Sequence, residues 1–176
     1  SSQTSAASSV LIDGLTGNDN LGFYSDRFLD TVNIIGGTGN DTIVVQSVLR
    51  STIDAGDGND IVQISMRGGT QTITLGAGSD ILKLEGSQFQ FAIGNPTLIT
   101  DFVPGVDTLA LDSYLSNVLS NWDKVANPFG TGHLKLVQRG NDTDLQLDRD
   151  GSLGSGYTFA TLLTFANTTA TALTAL

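Results

Sequence analysis

Apolar residues recur along the first half of the chain as short alternating pairs: Leu21/Phe23, Ile43/Val45, Val62/Ile64 and Leu82/Leu84. Each pair stands two and four places after an aspartate, namely Asp19, Asp41, Asp60 and Asp80. Two-fold alternation over so few residues predicts half-buried strands rather than helices. A second set of pairs, Val32/Ile34, Ile53/Ala55 and Ile73/Leu75, lies midway between the first, again with one polar residue inside each pair. The aspartates are 22, 19 and 20 residues apart. One repeat is therefore strand, loop, strand, loop, and the pattern predicts an all-β fold, a parallel β-roll, over residues 10–95.

The loops before the aspartates are rich in glycine: Gly14-Leu-Thr-Gly-Asn-Asp19, Gly36-Gly-Thr-Gly-Asn-Asp41, Ala55-Gly-Asp-Gly-Asn-Asp60 and Leu75-Gly-Ala-Gly-Ser-Asp80. The intervening loops, around Arg27 to Asp30, Val48 to Thr52 and Arg67 to Gln71, lack the motif and read as plain turns; Arg50 and Arg67 fall there, away from the acidic edge. Stacking the coils puts the aspartates on one edge roughly 4.8 Å apart. Two such charges repel by about 1 kcal/mol in bulk water and by several times that at a protein edge. Cations between them relieve the repulsion. Calcium suits such a row, because it accepts six to eight oxygens, backbone carbonyls included, in tolerant geometry. Magnesium demands stricter octahedral geometry, and a chain with no cysteine and one histidine lacks the usual ligands of zinc, copper or iron–sulfur clusters.

These residues resemble the RTX, or hemolysin-type calcium-binding, repeats of bacterial proteins exported by type I secretion. Gly36 to Val44 (GGTGNDTIV) matches the family's nonapeptide throughout, and the other copies depart from it at Leu15, Ala55 and Leu75. The resemblance implies that calcium is held between consecutive loops by their carbonyls and aspartates. Carried onto this chain, the ligating positions are Gly14, Thr16, Gly17 and Asp19; Gly36, Gly37, Thr38, Gly39 and Asp41; Ala55, Gly56, Asp57, Gly58 and Asp60; and Leu75, Gly76, Ala77, Gly78 and Asp80. Four loops imply about three enclosed ions. Asp57 is an extra carboxylate that either strengthens its site or faces solvent.

The formal charge of −10 argues against nucleic acid or an anionic membrane as partner. No apolar run is long enough for a transmembrane helix. Residues 1–9 lack the pattern of a signal peptide and read as a linker from upstream domains of a larger protein, or as a cloning remnant. The absence of cysteine suits a protein exported unfolded with no disulfide step.

Beyond the repeats, Gln88 to Ile93 alternates as one more strand. Residues 96–176 then read as a mostly β capping domain: an apolar strand in Ile99 to Asp112, and strands over His133 to Val137, Thr143 to Leu147 and Tyr157 to Phe165, the first two able to form a hairpin. Asp112 or Ser113 can cap a short helix with Leu115, Val118, Leu119 and Trp122 on one face. The order of the ITDFVPGVDTLAL and GNDTDLQLDRDG segments resembles the cap that follows RTX repeats in type I secreted adhesins, proteases and S-layer-like proteins. A cap covers the open edge that every solenoid presents. Asp148-Arg-Asp150-Gly151 looks like a fragment of an EF-hand loop, but Gln146 and Tyr157 stand where acidic ligands belong, so it reads as a turn.

Little supports catalysis. His133 alternates with Leu134 and Leu136 and is expected as an exposed strand residue, and no nucleophile elbow is present. The expected function is a calcium-induced folding module at the end of a larger secreted or cell-surface bacterial protein (adhesin, S-layer protein or exoenzyme), with the type I secretion machinery as partner. The alternative is a rigid platform that binds a cell-surface glycan or assembles an S-layer, for which Tyr24 is the clearest outward aromatic. Ice binding is disfavoured by the irregular plain loops.

Overall fold

The computed structural model describes residues 9–24, 31–46, 50–65, 69–86 and 96–173. Eight five-residue strands build the roll: β1 (Ser9–Asp13), β2 (Asn20–Tyr24), β3 (Thr31–Ile35), β4 (Thr42–Gln46), β5 (Arg50–Asp54), β6 (Ile61–Ser65), β7 (Thr70–Thr74) and β8 (Ile81–Glu85). Odd-numbered strands precede each Gly-Asp loop and stack in parallel in one sheet; even-numbered strands follow it and stack in the other. The expected parallel β-roll is what the chain forms. Arg50 is an exposed residue of β5 rather than part of a plain turn. The strand expected over Gln88 to Ile93, and Arg67, lie outside the described residues.

Register follows from the period. Ile12, Ile34, Ile53, Ile73 and Ile99 form one inward column, and Leu21, Ile43, Val62, Leu82 and Leu109 face them from the other sheet. Both columns are completely enclosed in the middle coils. The midway pairs slide along the strand: Ile34 stands beside Ile53, while Val32 stands beside Ser51 and then Gln71. That polar stretch is closed by Thr97, whose hydroxyl donates to Gln71 Oε1 at 2.8 Å. Gln71 and Thr97 thus satisfy one another, as buried polar groups usually do, whereas the Ser51 hydroxyl beside them is buried without a hydrogen-bond partner.

Both sheets continue past residue 95. β9 (Thr97–Ile99) pairs with β7, and β10 (Thr108–Ala110) pairs with β8, so this segment supplies one more half-coil on each side. β11 (Leu134–Arg139) and β12 (Asp142–Leu147) form the expected hairpin around Gly140-Asn141, with Gly140 at φ 62° as a two-residue turn requires. β13 (Ala160–Phe165) runs antiparallel to β12 and parallel to β9, which fuses the hairpin to the roll in a single eight-stranded sheet. Phe165 meets Phe102 edge to face at 5.1 Å across that junction.

The helix α1 (Asp112–Val118) is present but begins earlier than its expected cap. Leu111 occupies the N-cap position with no side-chain cap, because Asp112 is already helical and the Ser113 hydroxyl donates to Glu85 instead. Tyr114, Leu115 and Val118 are its buried face; Leu119 ends it and Trp122 lies beyond. Among the described residues no helix is long and apolar enough to cross a membrane.

Candidate metal centre

Each Gly-Asp loop makes a tight turn between the two sheets, and successive loops lie directly on one another. The third positions, Thr16, Thr38, Asp57 and Ala77, bridge in parallel from loop to loop. Their backbones exchange hydrogen bonds with the second and fourth positions of the neighbours: Thr38 N–H donates to Leu15 O and Asp57 N–H to Gly37 O, while Gly39 N–H donates to Asp57 O and Gly58 N–H to Ala77 O. The Asp57 side chain is exposed, so the extra carboxylate faces solvent. Ala55 and Leu75, at first positions, are fully buried core residues.

The aspartates form a ladder. Asp19 N–H donates to Asp41 Oδ1 at 2.8 Å, Asp41 N–H to Asp60 Oδ1 at 2.7 Å, and Asp60 N–H to Asp80 Oδ1 at 2.8 Å. The Asp41, Asp60 and Asp80 carboxylates are thereby each oriented by the coil before. The second oxygen of every one of these four, Oδ2 of Asp19, Asp41, Asp60 and Asp80, is buried with no hydrogen-bond partner. Asp41, Asp60 and Asp80 are almost wholly enclosed. An outer ladder parallels the first: Asn40 N–H donates to Asn18 Oδ1, Asn59 N–H to Asn40 Oδ1 and Ser79 N–H to Asn59 Oδ1.

Glycine is required where loops touch. A Cβ at Gly37 would collide with the Leu15 carbonyl, and one at Gly58 with the Gly39 carbonyl. At Gly14 a Cβ would lie 2.5 Å from Gly36 O and 3.0 Å from Asp19 Oδ2; at Gly36 it would meet Ala55 O and Asp41 Oδ2. In both loops, then, an orphaned carboxylate oxygen and the next loop's first carbonyl flank the same small space.

Burial is the main force on the Asp60 and Asp80 carboxyl groups. It pushes Asp60 up to about 6 from 3.8, with Asp80, Asp41 and Asp57 adding repulsion against the Asp41 N–H bond. Asp80 is raised in the same way, by burial first and then by Asp107 and Asp101. A buried carboxylate oxygen without a donor carries a full desolvation cost unless a positive charge meets it.

Two aspartates escaped sequence reasoning. Asp107 accepts from Asp80 N–H at 3.1 Å and from Val103 N–H at 2.7 Å, so it is the fifth rung and its carboxylate is satisfied. Asp101 accepts from Leu75 and Gly76 N–H, each at 2.8 Å, and so covers the fourth loop. The signal was available: Leu109 and Leu111 follow Asp107 at the same two and four places. It was masked because Val103-Pro-Gly105 stands where the earlier loops have Gly-x-Gly, and the spacing stretches to 27. His133, expected to be exposed, is instead buried just before β11. Nε2 donates to the Ser120 carbonyl at 2.9 Å, and in the neutral ring Nδ1 accepts from the Thr131 hydroxyl at 2.7 Å.

Among the described residues no three acidic or histidine side chains converge. The loops offer single carboxylates and backbone carbonyls instead, a hard all-oxygen set of the kind calcium accepts. The residues fit the ion: Asp19, Asp41, Asp60 and Asp80 would hold it through Oδ2 together with loop carbonyls, and it would supply the positive charge that the ladder lacks.

Fold and site together define a calcium-binding parallel β-roll. A family model described as Peptidase M10 serralysin C terminal matches residues 7–172, and the chain belongs to that family, a β-roll type of secreted bacterial proteins. No curated protein matches the chain.

Proposed function

We propose that this chain is a calcium-triggered folding module at the C-terminal end of a larger secreted or cell-surface bacterial protein, serving type I export and folding outside the cell. The observation that carries the reading is the column of four buried, donorless Oδ2 atoms. Without cations the column sets like charges against one another, and the glycine-rich loops have a large conformational entropy to lose. In the low-calcium cytosol both effects favour the unfolded, export-competent chain. Outside, calcium binds the folded form alone, and each site contributes about 2.7 kcal/mol when the ion stands at a hundred times its dissociation constant. Several sites acting together make folding steep in calcium. The reading assigns no catalytic step to this chain.

The test is far-UV circular dichroism of the chelated chain titrated with calcium, with magnesium as control. A cooperative gain of β signal with calcium alone, at about 0.1–1 mM, is expected. A chain fully folded in chelator overturns the proposal.

A further inference from the structure

Beyond the roll, the turn that leaves β12 holds a second, separate pair of enclosed acids. Asp148 is 9% exposed and Asp150 is 7% exposed. The Asp150 N–H donates to Asp148 Oδ1 at 3.3 Å, and Gly156 N–H donates to Asp150 Oδ2 at 2.8 Å. The remaining oxygen, Asp150 Oδ1, is buried without any hydrogen-bond partner, the same state as the four orphaned oxygens of the roll. Gly154 lies so close over the Asp150 carboxylate that a Cβ there would strike it, and a Cβ at Gly151 would strike the His133 ring. The chain from Gly154 to Gly156 is therefore folded over the Asp150 carboxylate.

We propose that Asp148 and Asp150 hold a hard divalent cation of the calcium class in this turn, at a site distinct from the β-roll ladder. Two carboxylates, one with an enclosed free oxygen, match the charge of one divalent ion, and water and carbonyls complete such a shell. The charged and titratable neighbours are His133, whose ring lies against Gly151, and Arg149, whose Nε donates to the Val118 carbonyl and whose guanidinium stacks over Tyr157 at 4.6 Å. The turn joins β12 to β13, the strand that attaches to β9. An ion here would fasten the C-terminal strands to the end of the roll.

The experiment counts calcium ions by native mass spectrometry on the full chain and on Asp150→Asn and Asp148→Asn. Each variant is expected to carry one ion fewer than the parent while the β signal of the roll stays. An unchanged count overturns the proposal and leaves a pair that shares a proton. Should a variant fail to fold, the parent chain decides: with paramagnetic lanthanide in place of calcium, the Gly154 and Gly156 amide resonances are expected to broaden with those of the roll loops. Sharp Gly154 and Gly156 signals beside broadened roll loops overturn it equally.

Discussion

At Asp60 the backbone pairs one carboxylate oxygen with the Asp41 N–H and leaves the other enclosed without a donor. Asp60→Asn keeps the first acceptor and replaces the charge. We expect the calcium midpoint of the β signal to rise at least about tenfold, about 1.4 kcal/mol, as read by the same dichroism titration; an unshifted midpoint would remove Asp60 from the ligand set. Protons act on the same residue. Its folded value, about 6, lies above the ordinary 3.8, so the folded state binds the proton more tightly than the unfolded one. Stability without calcium therefore falls as pH rises from about 4 to about 6. In chelator the β signal is expected to be greater near pH 5 than near pH 7, with the order reversed at calcium near its pH 7 midpoint, where protons compete with the ion. Leu15 is a third informative residue. It sits at φ 67°, in the place where the later loops have Gly37, Gly56 and Gly76. Among the described residues no loop lies on its other side, so its side chain has room, but the backbone is strained. Leu15→Gly is expected to stabilise the calcium-bound chain by up to about 1 kcal/mol, read as a higher urea midpoint.

At the scale of the element, the loop is a stacking device as well as a ligand. Gly17 and Gly58 both have positive φ, yet a Cβ on Gly17 meets nothing while one on Gly58 strikes a carbonyl. Gly17→Ala should therefore cost only the backbone strain, about 1–3 kcal/mol, and Gly58→Ala distinctly more. Urea melts of the two variants in saturating calcium would show the order, and equal losses would mean that the loops do not touch as described. The elements also show why some features were legible and others not. Stacking repeats the same environment at every coil, so the alternation after Asp19, Asp41, Asp60 and Asp80 recurs plainly. The loop at Asp107 is the last of the column and stacks on one side only. It keeps one glycine, Gly105; the Asp101 carboxylate accepts from Leu75 N–H where the preceding coil uses the Thr74 carbonyl, and Val103 N–H donates to Asp107 from within the same loop. The start of α1 differs from its expected cap for a related reason, since the Ser113 hydroxyl is engaged by Glu85, 28 residues away.

Across the whole molecule, the hairpin and β13 close the end of the roll by continuing its larger sheet. Phe165 is fully buried against Phe102 at this seam. Phe165→Ala should cost about 3–5 kcal/mol and weaken calcium binding at the fourth loop as well, because Asp101 and Phe102 are adjacent; a calcium midpoint left unchanged would show that the roll folds independently of its cap. By itself the sequence determined the roll, its inward columns, the acidic edge and the oxygen chemistry of the loops, because a solenoid writes each contact into the chain once per coil. Tertiary structure alone decided the fifth rung at Asp107, the burial of His133 between Thr131 and Ser120, and the fusion of β13 to β9. Each of these depends on partners that meet once, at separations no period encodes, so only the folded chain brings them together.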